Sequence, residues 1–448
     1  MLLTARYVLP IATPHIEYGA VLIKDDKIVE IGDLKHLQAL HPDEPVRDFG
    51  LAALMPGFID LHTHLEYTAM RGLVDDLPYS EWKLQLMQKE RLFSSQDWDD
   101  SACLGALESL QSGITTVADI TETGSSGMAA QASGLRAIIY REVATMDKKA
   151  VPEVMRRASE DIAAWRETSD SSRVTIGIAP HAPYSCHPEL FQRVSEYAMD
   201  GTMVAIHLAG SVEEFQFVKY GSSMLATDVR ESYDSEAPAW LPTGVSPVRY
   251  VLQWGLFDVP HIMAVHCTQV GKDDIDILAE KDVSIAHCPR CEAKLAMGVA
   301  PIEQFLRAGI RVGLGTDSPA ASNSMDVFEE MRIGLLVQRA VLGEDRFMSA
   351  RQFVKMATLD AARVLGLDDR LGSLEPGKQA DIIAVDLSKS HQIPTHYPYS
   401  TLVHTANQEN VLATMVAGKF LYEDRTWHSM DRDRIFARAE EMRMKLRV

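Results

Sequence analysis

The chain alternates between two textures of apolar and polar positions. Residues 1 to about 55 show the short period-two pattern of half-buried strands. Residues 21–32 read as a hairpin turning at Asp25-Asp26. The same texture returns at 380–386 and 411–419, after a Pro376-Gly377 turn. We expect the two ends to pair into one small β-sandwich, with parts at 1–55 and 371–425. Residues 56–370 behave differently. There, β-branched runs near 54–61, 114–120, 136–143, 173–179, 203–208, 262–267, 283–288 and 311–316 alternate with helical stretches such as 97–111, 152–166 and 188–198. Eight strand–helix units predict an α/β fold, a (β/α)8 TIM-type barrel. A doubly wound open sheet produces similar alternation and is the structural alternative. A charged helix over 426–448 closes the chain, with Ile435, Phe436, Ala439 and Met442 on one face.

The polar residues inside these apolar runs favour the barrel. His62 and His64 end the first run, His181 follows the fourth, and His207, His266 and His287 end the fifth, sixth and seventh. Asp317 ends the eighth. A single histidine in an apolar strand is ordinarily a satisfied core residue. Six of them and an aspartate at the same ends of successive strands converge on one mouth, where barrel chemistry sits.

Bulk properties narrow the partners. The 448 residues are 46% hydrophobic, and the net charge of −19 opposes binding to phosphate backbones. No apolar stretch reaches the length of a membrane span, and the first residues carry no secretory pattern, so neither is expected. Five cysteines, few and odd in number, suit a reducing cytoplasm better than a disulfide framework. The expected partner is therefore a small molecule, and a homo-oligomer stays open.

In extended chain, His62 and His64 point to the same side with Thr63 between them. Together with His207 and Asp317 they make three imidazoles and a carboxylate, a ligand set for one divalent cation. Zn²⁺ suits these donors, and Fe²⁺ or Mn²⁺ remain compatible with them. A catalytic site of this kind activates water, whose proton Asp317 can accept, while His266 holds or polarises the group under attack. For Asp317 the plainer alternative is a helix N-cap.

The segments Pro56-Gly57-Phe58-Ile59-Asp60-Leu61-His62-Thr63-His64, His207-Leu208-Ala209, His266-Cys267, His287-Cys288-Pro289 and Gly313-Leu314-Gly315-Thr316-Asp317-Ser318 resemble the amidohydrolase superfamily. The stretches 374–381 and 413–419 resemble its closing β-sandwich. Within it, Ala179-Pro180-His181-Ala182-Pro183-Tyr184 and Ser322-Asn323-Ser324-Met325-Asp326 are similar to the branch of S-adenosylhomocysteine and 5′-methylthioadenosine deaminases, aminofutalosine deaminases and triazine hydrolases. The resemblance implies a metal-dependent hydrolase that removes an amino group from an adenine nucleoside or related heteroaromatic amine. It also implies that His181 touches substrate and that Glu90 matches a glutamate holding ribose hydroxyls. A triazine-like hydrolase of another C–N or C–Cl bond, or a metal-retaining metabolite binder, are the alternatives.

Two departures bear on mechanism. The branch's deaminases carry a proton-shuttling glutamate three residues after the fifth-strand histidine, where this chain has Gly210. After the seventh strand, Cys291-Glu292 replaces the usual Ser-Asn, which suggests that Glu292 partly takes over the shuttle. Glu213 and Glu214, just downstream of Gly210, read as the acidic first turn of a helix. Arg141, Trp82 and His287 are further candidate substrate contacts, although no carboxylate clamp is evident after Arg141. Residues 65–91 are expected to cover the mouth, and 220–247 form a second long connection. In that connection 234–238 read as exposed loop, and Trp240 is placed to reach the pocket.

Overall fold

The computed structural model describes residues 1–227 and 240–446, so the loop expected at 234–238 lies outside the described residues. Eight parallel strands follow one another around a barrel in chain order. They are Phe58–Thr63, Ile114–Thr121, Arg136–Val143, Val174–Pro180, Val204–Leu208, Ile262–His266, Ser284–His287 and Val312–Leu314. The open-sheet alternative fails because the first and last strands meet. Asp60 accepts from the Thr316 amide at 2.9 Å and the Thr316 hydroxyl at 2.6 Å, and the Asp317 amide donates to the His62 carbonyl at 2.8 Å. Side-chain bonds thus complete the ring where the eighth strand is short.

The run expected over 54–61 divides between two sheets. Ala52–Pro56 belongs to the end domain and Phe58–Thr63 to the barrel. Gly57 makes the crossing, at a point where any Cβ would collide with the Thr115 side chain.

The two chain ends form one nine-stranded mixed sheet. Ala52–Pro56 sits between Leu2–Val8, to which it is parallel, and Ile382–Asp386, to which it is antiparallel. Its side chains split by period. Ala52 and Leu54 enter a core within the end sheet, while Ala53 and Met55 join the core around the barrel. Burial on both faces explains why these strands are continuously apolar. The turn at Asp25-Asp26 forms between Ile16–Lys24 and Lys27–Asp33 as expected. A buried bidentate pair, Arg136 to Asp381 at 3.0 and 3.3 Å, ties the third barrel strand to this sheet.

The closing helix spans Arg432–Leu446 and buries Ile435, Met442 and Leu446. Phe436 instead faces solvent beneath the Arg432 guanidinium. Lys445 reaches Asp97 at 2.7 Å, on the helix Ser95–Gln111. Above the barrel mouth lie the short turn Leu65–Met70 and the helix Tyr79–Glu90. Among the described residues no helix is long and apolar enough to cross a membrane.

Candidate active site

The histidines converge as their positions at the strand ends require. His62 is fully buried, its ring centroid 4.8 Å from His64 and 4.9 Å from His207. Donor nitrogens of these three lie within 4.8 Å of one another, as do donor atoms of His62, His266 and Asp317. Two rings are aimed by backbone carbonyls. His64 Nδ1 lies 2.8 Å from the Ile120 carbonyl and His207 Nδ1 2.9 Å from the His181 carbonyl. A carbonyl only accepts, so each Nδ1 carries its proton and each Nε2 keeps its lone pair. Both ring nitrogens of His62 are buried without a hydrogen-bond partner of good geometry, Nε2 lying 3.5 Å from Asp317 Oδ1. An imidazole left orphaned among two others and a carboxylate fits a cation site, and an apolar packing role would not place it there.

Electrostatics agree. Burial, followed by the neighbouring His62, holds His64 down at about 3, and burial holds His207 well below the usual imidazole range. These rings are therefore neutral donors. For Asp317, burial pushes upward, but His62, His266 and His64 outweigh it and keep the carboxyl well below its usual range. Asp317 has a left-handed φ of 58° and His266 one of 75°, backbone strain of the kind that accumulates at functional sites. The Cys291 thiol donates to Asp317 Oδ2 at 2.7 Å and the Ser318 amide to Oδ1 at 2.5 Å. The N-cap of the helix that follows is Ser318, so Asp317 is free of that task.

A cavity opens onto these groups. His64, His207, His266 and Asp317 line it, and so do His181 and Trp82. The covering segment supplies Tyr67, Tyr79, Lys83 and Leu86 as well.

Several expected contacts are elsewhere. Arg141 turns outward to Asp161 at 2.8 Å, because its neighbour Glu142 takes the inward position of the third strand. Glu90 is not part of the cavity wall; it acts as a nearby charge on Tyr67, Lys83 and Glu142, and its Oε1 is buried without a hydrogen-bond partner. His287 and Glu292 are buried outside the cavity, 2.9 Å apart. Glu292 Oε1 also accepts from the Cys288 amide at 2.9 Å and lies 3.5 Å from His266 Nδ1. A glutamate in the first turn of the helix Pro289–Lys294 is drawn back to the free amides there. Burial opposes its charge, but His287 and His266 outweigh it and lower its pKa, so the carboxylate sits behind His266 and braces that ring. Trp240 packs on Phe217 at 4.5 Å between ring centroids and does not reach the cavity.

At Gly210 the space beside the backbone is tight. A Cβ there would lie 3.1 Å from Met297 Cε and 3.2 Å from His266 Cδ2. Glu214 holds the Ala209 and Gly210 amides at 2.8 and 2.9 Å, which confirms a first-turn role for it. The sequence reading missed Lys83, Glu122 and Glu142. Glu142 carried a signal, a lone acid near the C-terminal end of an apolar barrel strand. Lys83 carried none.

A closed parallel barrel with histidine and aspartate donors at its C-terminal mouth defines a metal-dependent hydrolase scaffold. The chain belongs to the amidohydrolase family, whose model matches residues 53–421. It is 33% identical over 437 residues to a 5-methylthioadenosine/S-adenosylhomocysteine deaminase of Pelotomaculum thermopropionicum, covering 96% of this chain and 94% of that one. An adenosine deaminase from Xanthomonas campestris, crystallised with bound zinc, superposes with a TM-score of 0.86 at 29% identity, covering 100% of this chain and 98% of that one. An atrazine chlorohydrolase from Arthrobacter aurescens, complexed with zinc, shares the fold at a TM-score of 0.83 and 24% identity, over 98% of this chain and 99% of that one.

Proposed function

We propose that this protein is a cytoplasmic, metal-dependent hydrolase that deaminates an adenine nucleoside or a closely related heteroaromatic amine. The observation that carries the reading is His62, orphaned at both nitrogens among His64, His207 and Asp317. The deaminase names of similar chains support the choice of bond. Five free, buried cysteines support the reducing compartment.

His62, His64, His207 and Asp317 would hold one divalent cation, with zinc the ion best suited to these donors. When bound, it supplies Lewis-acid activation of water at neutral pH. Asp317 accepts the proton of the attacking water. His266, braced by Glu292 behind it, presents Nε2 to the oxygen added at the carbon under attack, and Asp317 relays the two protons of the water, one to the ring nitrogen and one to the departing amine. His181, steadied by Ser185 at 2.6 Å, and Trp82 position the ring.

Ammonia release across a purine and pterin panel tests the reading. Turnover of at least one adenine nucleoside by zinc-loaded protein is expected. Binding without ammonia release overturns it. Gly210 favours a second reading, because chloride leaves a ring without being protonated and needs no glutamate shuttle. Chloride release from a chlorotriazine, with no ammonia from any panel member, would select it.

A further inference from the structure

The cavity wall away from the histidines carries more acid than base. Glu66, Glu122 and Glu142 line it against one ammonium, Lys83. Glu66 is already engaged, accepting from the Thr121 and Thr123 hydroxyls at 2.5 Å each and from the Glu122 amide at 3.1 Å. The Glu142 carboxyl and Lys83 have no ion pair or side-chain hydrogen bond among the described residues, although both line the cavity. Beside them stand the rings of Tyr79 and Trp82, 6.2 Å apart and inclined by 29°. Trp82 is 6% exposed, and its Nε1 is buried without an acceptor.

Carboxylates combined with aromatic faces form the chemistry that receives organic cations. Arg141, beside Glu142 on the third strand, is turned away from the cavity to Asp161. We propose that this wall selects substrates by charge. An arm bearing an ammonium or sulfonium group beyond the reacting ring is preferred to a neutral arm, and a carboxylate or phosphate arm is rejected. The proposal rests on the aminated-ring reading for the identity of the ring, and on the wall alone for the charge of the arm. Burial pushes the Glu142 carboxyl up to about 8, with Lys83 opposing and Glu122, Glu66 and Glu90 adding to the rise. A carboxyl in that state is mostly protonated at pH 7, and a cationic arm would draw it into its charged form by supplying the counter-charge it lacks.

The test uses three adenosine probes that differ at the 5′ position: 5′-amino-5′-deoxyadenosine, 5′-methylthioadenosine and adenosine 5′-carboxylic acid. Calorimetric affinity and ammonia release are measured for each with zinc-loaded protein at pH 7 and low salt. The cation is expected to bind about tenfold tighter than the neutral probe, and the anion about tenfold weaker. Added salt should compress that order. Glu142→Gln should shrink the cation-to-neutral ratio about threefold or more, and Lys83→Met should enlarge it. An anion that binds as well as the neutral probe, or a cation that gains nothing, overturns the proposal. Affinities in the expected order without ammonia release would overturn the deaminase reading and support charge selection. Deamination of all three at similar efficiency and affinity would do the reverse, and failure of all three to bind would overturn both.

Discussion

His62 has no hydrogen-bond partner of good geometry at either nitrogen, yet it sits in the most constrained part of the barrel, where the first and eighth strands join. A cation is the partner that its neighbours can share. His62→Ala is expected to lower bound metal from about one equivalent to a small fraction of that. Elemental analysis would read the loss, with circular dichroism showing the barrel retained. Metal content unchanged in the variant would refute the assignment. Glu142 makes a separate statement through pH. Its folded pKa of about 8, raised by burial, stands above the ordinary carboxyl value of 4.5. Stability from the buried neutral acid is therefore complete below about 4.5 and is lost as pH rises through about 8. Glu142→Gln cannot ionise and escapes that loss. Its melting temperature relative to the parent should rise between pH 5 and pH 9, and a constant difference across that range would contradict the burial argument. The histidine pair and Asp317 were legible in the chain because their chemistry is unusual in apolar strands. The placement of Glu292 was not legible for the opposite reason, since a glutamate in a helix's first turn looks the same whether it faces the cavity or an amide.

The closing helix shows how an amphipathic pattern specifies a face only approximately. Ile435 and Met442 pack as the spacing requires, whereas Phe436, one position on, emerges beneath Arg432. Sequence period fixes which residues share a side, and the partner helix decides the width of the buried stripe. Met442 is fully buried, and its removal should cost about 2 kcal/mol or more. The denaturant midpoint of Met442→Ala would register that loss, whereas an unchanged midpoint would mean that the helix contributes no packing. The ion pairs of Lys445 with Asp97 and Arg438 with Asp100 lie at its edge. Their carboxylates are buried while the cations remain partly exposed. The covering helix Tyr79–Glu90 followed the same logic. Its cover over the mouth was foreseeable from length and apolar content, but the inward turn of Lys83 was not.

The molecule as a whole is held by a sheet that neither end of the chain can complete. Ala52–Pro56 needs Ile382–Asp386 along one edge, and the Arg136–Asp381 pair fastens that sheet to the barrel. A chain ending at residue 370 would expose the edge of Ala52–Pro56 and strand Arg136 without its carboxylate partner. Such a chain is expected in the insoluble fraction on expression. A soluble, monodisperse 1–370 protein would show that the barrel stands without the returning strands. Alternating strand and helix periods determined the eight-fold architecture, and period two determined that both ends are strands, because these depend only on neighbours in the chain. The ligand-type residues were determined in the same way, since few other roles suit histidine at the end of an apolar strand. What the tertiary structure decided was direction: Arg141 outward and Glu142 inward, Glu292 behind His266, Met297 pressed close to Gly210. A side chain's direction depends on which residues from distant parts of the chain already occupy the space around it. That information exists only once the strands have closed.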